Sequence, residues 1–343
     1  MLVIGIESSC DETAVSIVRD GAEVLSSQIY SQIETHKVFG GVVPEVAARE
    51  HLKVISGMVA LAMKEAAVSY DDLDAIAVTR GPGLIGALLV GISYAKGMAL
   101  RYGLPLIPVN HVHAHVHGAL LGIDQSIDSV FPCLAAVVSG GHTNLYYMSN
   151  PTSFKLIAHT IDDACGESFD KVAKLFNLGY PGGPKIEKMA TKGRSNVFRM
   201  PVLMEQKSRL EFSYSGLKTH MVNLRNSEQG EMSDQWIADA CAAFQEAAFD
   251  QLKRKLESAL VIQPETRSVL IAGGVAANNR FRAMLSSEIK VPILSPRLRF
   301  CSDNGAMIAA LGYHQFINSE GDRKFYDYSW DAFSRYDFRA SRR

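Results

Sequence analysis

The chain has 343 residues, is 47% hydrophobic and 21% charged, and carries a formal net charge of −1. That length holds two domains or one large one, and the composition is that of a globular protein rather than a disordered or fibrous one. No run is apolar enough for long enough to cross a membrane, since the nearest, Leu84 to Leu100, is broken by Ser93, Tyr94 and Lys96.

The chain opens on an apolar strand, Leu2 to Ile6, with no basic leader region, cleavage site or Arg-rich transit segment before it. A cytoplasmic location is therefore expected. The polar turn Glu7 to Thr13 follows, then a second strand, Ala14 to Val18, so the opening reads as a hairpin. Its tip holds the adjacent carboxylates Asp11 and Glu12, which can take a proton or hold a metal, although a plain polar turn has the same composition. A strand at Ala75 to Val78, a glycine turn at Arg80 to Gly83 and a helix from about Ile85 come next.

Asn110 to His117 then places four of the ten histidines within seven residues. On a helix His111 and His115 share one face, and His113 and His117 a neighbouring one. An i, i+4 imidazole pair can set two nitrogens over one divalent ion, but a third protein ligand is still required. The alternative is a solvated histidine-rich helix face. A zinc-protease helix would carry a glutamate right after the first histidine. Here that residue is Val112, and no Glu lies between His111 and His117.

The opening pattern recurs. Leu134 to Val138 leads into Ser139-Gly140-Gly141-His142-Thr143 and a second strand, Asn144 to Met148. Much later come the strand Ser268 to Ala272, the turn Gly273-Gly274 and a helix from about Asn278. Hairpin, then strand–glycine–helix, thus occurs twice, which implies an internal duplication and two α/β domains facing a cleft. Ligands of such folds sit at strand ends, and glycine turns let backbone amides approach an anion. None of these turns has the phosphate-loop spacing with its Gly-Lys-Ser/Thr ending.

Between the repeats, Asp162 to Lys174 reads as helix, Leu178 to Pro184 as loop, and Lys192 to Gln229 as irregular. Trp236 to Leu260 reads as a long amphipathic helix. Asp303 sits where the N-cap of the apolar helix Ala306 to Gly312 belongs; alternatively it is the third ligand for His111 and His115. The five cysteines, Cys10, Cys133, Cys165, Cys241 and Cys301, form no Cys-x-x-Cys pair and are expected as small buried residues.

Taken together, Gly5-Ile-Glu-Ser-Ser-Cys-Asp-Glu-Thr13, Asn110-His-Val-His-Ala-His115, Val138-Ser-Gly-Gly-His-Thr143, Phe169-Asp-Lys171, Tyr180-Pro-Gly-Gly-Pro184, Phe212-Ser-Tyr-Ser-Gly-Leu-Lys-Thr219, Gly273-Gly-Val-Ala-Ala-Asn278 and Phe300-Cys-Ser-Asp-Asn-Gly-Ala-Met307 resemble the motifs of the TsaD family (formerly Gcp, related to Kae-type proteins), in its bacterial form. The match runs over nearly the whole chain. It implies an α/β fold of two duplicated actin/Hsp70/sugar-kinase-like (RNase H-like) domains around a central cleft. The implied N-terminal domain is 1–110, completed by a C-terminal helix at about 303–330; the C-terminal domain is 111–302, with an irregular insertion at about 178–235; 331–343 is a basic tail.

The resemblance further implies transfer of a threonylcarbamoyl group from threonylcarbamoyl-AMP to the N6 amine of the adenosine 3′ of the anticodon in tRNA. A divalent ion, Fe2+ with Zn2+ as the alternative, is implied on His111, His115 and Asp303. The donor is expected at Val137, Val138, Ser139, Gly140, Gly141, Asp170, Gly183 and Asn278, and a catalytic role at Asp11 and Glu12. Implied partners are TsaB as heterodimer partner, the ATPase TsaE, and TsaC or its longer relative as donor supply. After Gly182-Gly183-Pro184 the chain has Lys185-Ile186-Glu187 where some relatives place an aspartate contact. An ATPase, kinase or small-molecule carbamoyltransferase of the same fold is the alternative. The tRNA-facing surface is expected at Arg280, Arg282, Arg297 and Arg299 and at the tail, Arg335, Arg339, Arg342 and Arg343.

Overall fold

A computed structural model describes residues 1–123, 125–206, 210–319 and 323–335. The chain divides into two compact units. The first comprises Met1–Ser129, Ser149–Phe154 and Pro296–Arg343, and the second Val130–Met148 and Lys155–Ser295. The His111–Gly118 helix therefore lies in the first unit, whereas a boundary at residue 110 would leave it in the second.

The first unit is built on a five-stranded sheet of β1 (Leu2–Glu7), β2 (Glu12–Arg19), β3 (Glu23–Ser31), β4 (Ala75–Gly81) and β5 (Leu106–Asn110), in the order β3-β2-β1-β4-β5. β1 runs antiparallel to β2 and parallel to β4. Alternate residues of a strand point to opposite faces, so β1 feeds two cores at once. Ile4 and Ile6 pack with Val59, Leu88 and Ile92 of the helices Pro44–Ala66 and Ile85–Tyr102. Val3 packs on the other face with Ala309 and Leu311 of the helix Gly305–Ile317. With both faces covered, the central strands carry continuous apolar runs rather than an alternating pattern.

The second unit repeats the design with β6 (Cys133–Val138), β7 (Thr143–Met148), β8 (Lys155–His159), β9 (Ser268–Ala272) and β10 (Ile293–Leu294), in the order β10-β9-β6-β7-β8. Read from the other edge, this is the order of the first sheet. β6 is antiparallel to β7 and parallel to β9, as β1 is to β2 and β4. The duplication read from hairpins and glycine turns is thus present strand for strand.

Three local expectations differ. Gly182, Gly183 and Pro184 open the helix Gly182–Ala190 instead of ending in a loop. Proline is tolerated in a first helical turn, where its missing N–H would have no partner anyway, and the Gly182 amide is held by Asp170 Oδ1 at 2.6 Å. Within the stretch expected as irregular, Ser215–Ser227 is a helix. The 23-residue helix Pro44–Ala66 was not anticipated, although it has Pro44 in the favoured first-turn position. Among the described residues no helix is long and apolar enough to cross a membrane.

Candidate metal centre

The His111–Gly118 helix begins at the end of β5, with Asn110 as its cap, the side-chain oxygen accepting the His113 amide at 3.1 Å. This sets the helix phase. His111 and His115 fall one turn apart on the same face, buried, with their rings 4.7 Å apart. His113 and His117 turn elsewhere. His113 stacks on Phe154 at 4.0 Å, and His117 Nε2 lies 2.9 Å from the Pro151 carbonyl oxygen, its ring 5.2 Å from that of His314. Burial pushes His113 down to about 3 and His314 down to about 4, and burial with the nearby His314 holds His117 well below the usual imidazole range. These neutral rings are packing groups, so the histidine run splits into one pair that faces Asp303 and one that packs.

Asp303 reaches the first pair from the far end of the chain. The cap of the Gly305–Ile317 helix is Asn304, not Asp303; the Asn304 side-chain oxygen accepts the Met307 amide at 2.9 Å. The Asp303 carboxylate lies instead against the imidazole pair, with Oδ1 3.2 Å from His115 Nε2 and 3.6 Å from His111 Nε2. The approach depends on two glycines. A Cβ on Gly5 of β1 would collide with the Gly305 carbonyl, and one on Gly305 would lie 2.6 Å from the Gly5 oxygen and the Ser16 nitrogen. Only backbone lets the helix start sit this deep against the sheet.

The donor set fits a divalent ion. One ligand atom from each of His111, His115 and Asp303 lies within 4.8 Å of the others. Two ligands about 2.1 Å from one ion at a tetrahedral angle stand about 3.4 Å apart, which matches the two Asp303 separations. Two imidazoles and one carboxylate with open positions is the donor set of non-haem iron(II) and of catalytic zinc sites.

The first hairpin turn borders this set. Asp11 is buried, and its carbonyl accepts the Gln32 amide at 2.9 Å. Glu12 begins β2, where burial and the carboxylates of Asp303, Asp11 and Glu7 push it up to about 9. Such a one-signed neighbourhood is what a cation relieves. His51, on the Pro44–Ala66 helix, pins the turn from behind, with Nδ1 2.7 Å from Thr13 Oγ1 and Nε2 2.9 Å from the Cys10 oxygen. Glu7, which the sequence reading left unassigned, is fully buried with its Oε2 3.0 Å from His111 Nδ1. The only local signal for it was a carboxylate ending an apolar strand. Four cysteines are buried and Cys10 half-buried, all unbridged.

The residues expected to meet the donor lie in the second unit. Val137 and Val138 end β6 and are fully buried. The turn after them is closed by the Ser139 amide donating to the His142 carbonyl at 2.8 Å and the His142 amide to Ser139 Oγ at 3.1 Å. Gly140 and Gly141 are exposed, with nothing within 4 Å of where a Cβ would stand. Gly273 packs against this turn with φ +85°, and a Cβ there would lie 2.5 Å from the Val138 oxygen. Asp170 is raised by burial. Gly183 has open space beside it. Asn278 caps the helix Asn279–Glu288, accepting from the Phe281 amide at 3.0 Å and donating to Gln245 Oε1 at 2.8 Å. Glu187 binds the Asn279 amide and side chain at 2.8 and 3.0 Å, so its carboxylate already has structural work.

The arginine cluster divides. Arg280 forms a two-pronged pair with Glu246 at 2.5 and 2.7 Å, and Arg282 donates to the Ala276 oxygen at 2.5 Å. Arg297 and Arg299 stand exposed on the turn before Phe300. Of the tail, Arg335 is exposed, while Arg339, Arg342 and Arg343 lie outside the described residues.

Among solved structures, HypF from T. kodakarensis is similar over 93% of this chain and 48% of its own, with a TM-score of 0.61 at 15% identity. Component A of the (R)-2-hydroxyglutaryl-CoA dehydratase of Acidaminococcus fermentans is similar over 92% and 98%, with a TM-score of 0.54 at 14% identity. These likenesses, with the two matching sheets, place the chain in the actin/Hsp70-like class of duplicated α/β folds. The profile of the TsaD family, tRNA N6-adenosine threonylcarbamoyltransferase, matches residues 23–310. A curated protein of that description from Bacillus subtilis (strain 168) is 46% identical over 95% of this chain and 93% of its own length. One from Syntrophomonas wolfei is 44% identical over 97% and 96%. The chain belongs to the TsaD family of tRNA N6-adenosine threonylcarbamoyltransferases.

Proposed function

We propose that this transferase moves the threonylcarbamoyl group of threonylcarbamoyl-AMP to the N6 amine of the adenosine 3′ of the anticodon, using a divalent ion held by His111, His115 and Asp303. Family membership supports the reaction. The single structural observation behind the metal's part is the convergence of His111 Nε2, His115 Nε2 and Asp303 Oδ1. Fe2+ is the ion of choice, because two imidazoles and a carboxylate with open positions suit it, and Zn2+ is the alternative. Mg2+, the ion of a kinase, prefers oxygen ligands and gains little from two imidazoles; this sets the site apart from a kinase or ATPase of the same fold.

The acceptor amine is a weak nucleophile, because its lone pair is delocalised into the adenine ring. A bound dication supplies Lewis acidity to a phosphate or carbamoyl oxygen as negative charge develops there. The Gly140 and Gly141 amides hold the phosphate side of the donor, with Asp170, Gly183 and Asn278 as further contacts. Asp11 or Glu12 accepts the N6 proton, or fixes the water that does. TsaB, TsaE and a donor-supplying enzyme of the TsaC kind are the proposed partners, and the cytoplasm is the proposed location.

The test is transfer itself. Protein, threonylcarbamoyl-AMP and unmodified tRNA are mixed with and without the partner proteins, and modified nucleoside is read by mass spectrometry. The His111→Ala/His115→Ala double variant runs beside them. Modification by the parent protein that is lost in the double variant is the expected result. No modification even with partners, in protein that carries its metal, moves the reading to a nucleotide-binding enzyme of this fold with another acceptor.

A further inference from the structure

We propose that Glu7 is a positioning residue that decides which nitrogen of His111 is offered to the ion, and that Thr79 holds Glu7 in place for this purpose. The inference rests on the metal reading above and deepens it.

Glu7 is the last residue of β1 and has no exposed surface. A carboxylate there must have partners, since burying an unpaired charge is costly. Both its oxygens are engaged. Oε1 accepts the Ser9 amide at 2.5 Å, and Oε2 accepts the Thr79 hydroxyl at 2.5 Å and faces His111 Nδ1 at 3.0 Å. With the Ser9 amide and the Thr79 hydroxyl both donating to it, the Glu7 carboxyl acts as an acceptor on each oxygen.

An ionised carboxylate only accepts hydrogen bonds. His111 Nδ1 therefore carries the proton of that contact, and the Ser9 hydroxyl, 3.2 Å from the same nitrogen, is then a second acceptor beside it. The lone pair left for a metal is then on Nε2, the nitrogen that faces Asp303 Oδ1. Carboxylate, imidazole and ion in a row is a recurrent device; it fixes the ring orientation and makes the ligating nitrogen more basic. His115 is held differently. Its Nδ1 is buried with no hydrogen-bond partner, so no carboxylate backs that ring on the side away from Asp303. The two metal imidazoles are unequal, and only His111 is locked by charge.

The substitution Glu7→Gln inverts the lock with little change in shape. The amide oxygen can take over the Ser9 contact, which turns the NH2 group towards Thr79 and His111. An NH2 group facing Nδ1 donates to it, and that favours the tautomer with its proton on Nε2, where the metal would bind.

The experiment uses the full chain stripped of metal and titrated with Co2+, whose visible absorption reports its coordination. Dissociation constants come from competition with a chelator. The Glu7→Gln protein is expected to bind cobalt about 10- to 100-fold more weakly than the parent, with altered bands and an unfolding midpoint that is not lowered to match. Thr79→Val is expected to weaken binding less, and Thr79→Ser, which keeps the hydroxyl, to restore it. Parent-like affinity and bands in folded Glu7→Gln protein overturn the proposal. Should Glu7→Gln fail to fold, equal affinities of Thr79→Val and Thr79→Ser overturn it instead. If His111→Ala/His115→Ala binds cobalt as tightly as the parent, the metal reading itself falls and takes this inference with it. Loss of cobalt binding in that double variant, beside parent-like affinity and bands in Glu7→Gln, sinks the Glu7 role alone.

Discussion

The turn between β1 and β2 and the turn between β6 and β7 occupy the same place in the two sheets and carry opposite chemistry. The first is crowded and acidic. Glu7, Asp11 and Glu12 lie in or beside it, Ser9 and Thr79 bond into it, and His51 pins its backbone. The second is short, closed by Ser139 and His142, and open at Gly140 and Gly141. Duplication kept the backbone path, because strand pairing and the two-sided core demand it. The side chains at the tips are free of that demand. One tip became a carboxylate turn next to an imidazole pair, and the other a glycine turn with no side chain over Gly140 and Gly141.

The comparison can be broken most severely at Gly305. A valine there would press its Cβ onto the Gly5 oxygen and the Ser16 nitrogen, both 2.6 Å away. Neither is a flexible side chain, so a loss of more than about 3 kcal/mol is expected, with metal binding lost as Asp303 is displaced. Chemical denaturation beside a metal assay reads both. A stable Gly305→Val protein would mean that the acidic turn does not depend on this close approach.

A smaller effect is expected from the carboxylates themselves. Asp11→Asn and Glu12→Gln should fold and keep the metal, while at least one slows single-turnover transfer from purified donor by about 10²- to 10⁴-fold, the usual worth of a positioned base. If both variants transfer at near-parent rates, the acidic turn is not the proton acceptor, and the contrast between the tips is only one of charge.

The smallest effect separates the two histidine pairs. His314 and His117 are buried and neutral in the folded chain, with His314 near 4. In the unfolded chain each protonates near 6.5. Between those values the unfolded state binds more protons, so it gains as pH falls. The His314 contribution is complete above about pH 6.5 and is lost as pH drops through about 4, at no more than about 1.4 kcal/mol per pH unit, and His117 acts in the same direction. Unfolding midpoints from pH 7 to pH 4 should fall more steeply in the parent than in His314→Phe. Parallel slopes would show that His314 does not report this burial.

Much of this was legible because it is local. The apolar strands of the hairpins, the glycine turns and the four-residue spacing of His111 and His115 are properties of short segments. The helix Gly182–Ala190 was misread for an equally local reason, since two prolines and three glycines argue for a loop until the Asp170 carboxylate is seen on the Gly182 amide. The third strands β3 and β8 were not singled out because their half-exposed residues give a weak signal.

By itself the sequence determined the duplicated fold class, the family and the two imidazoles, since each rests on pattern and spacing that survive any tertiary arrangement. Which four-residue pair would meet carboxylates and which would pack was decided only by tertiary contacts, with Phe154, Pro151 and His314 on one side of the helix and Glu7 and Asp303 on the other. That Asn304 rather than Asp303 caps the last helix was settled the same way. The physical reason is range. A helix places its own side chains every turn, but Glu7 and Asp303 meet His111 across about a hundred or more residues of chain, and the bare backbones of Gly5 and Gly305 must touch before they can.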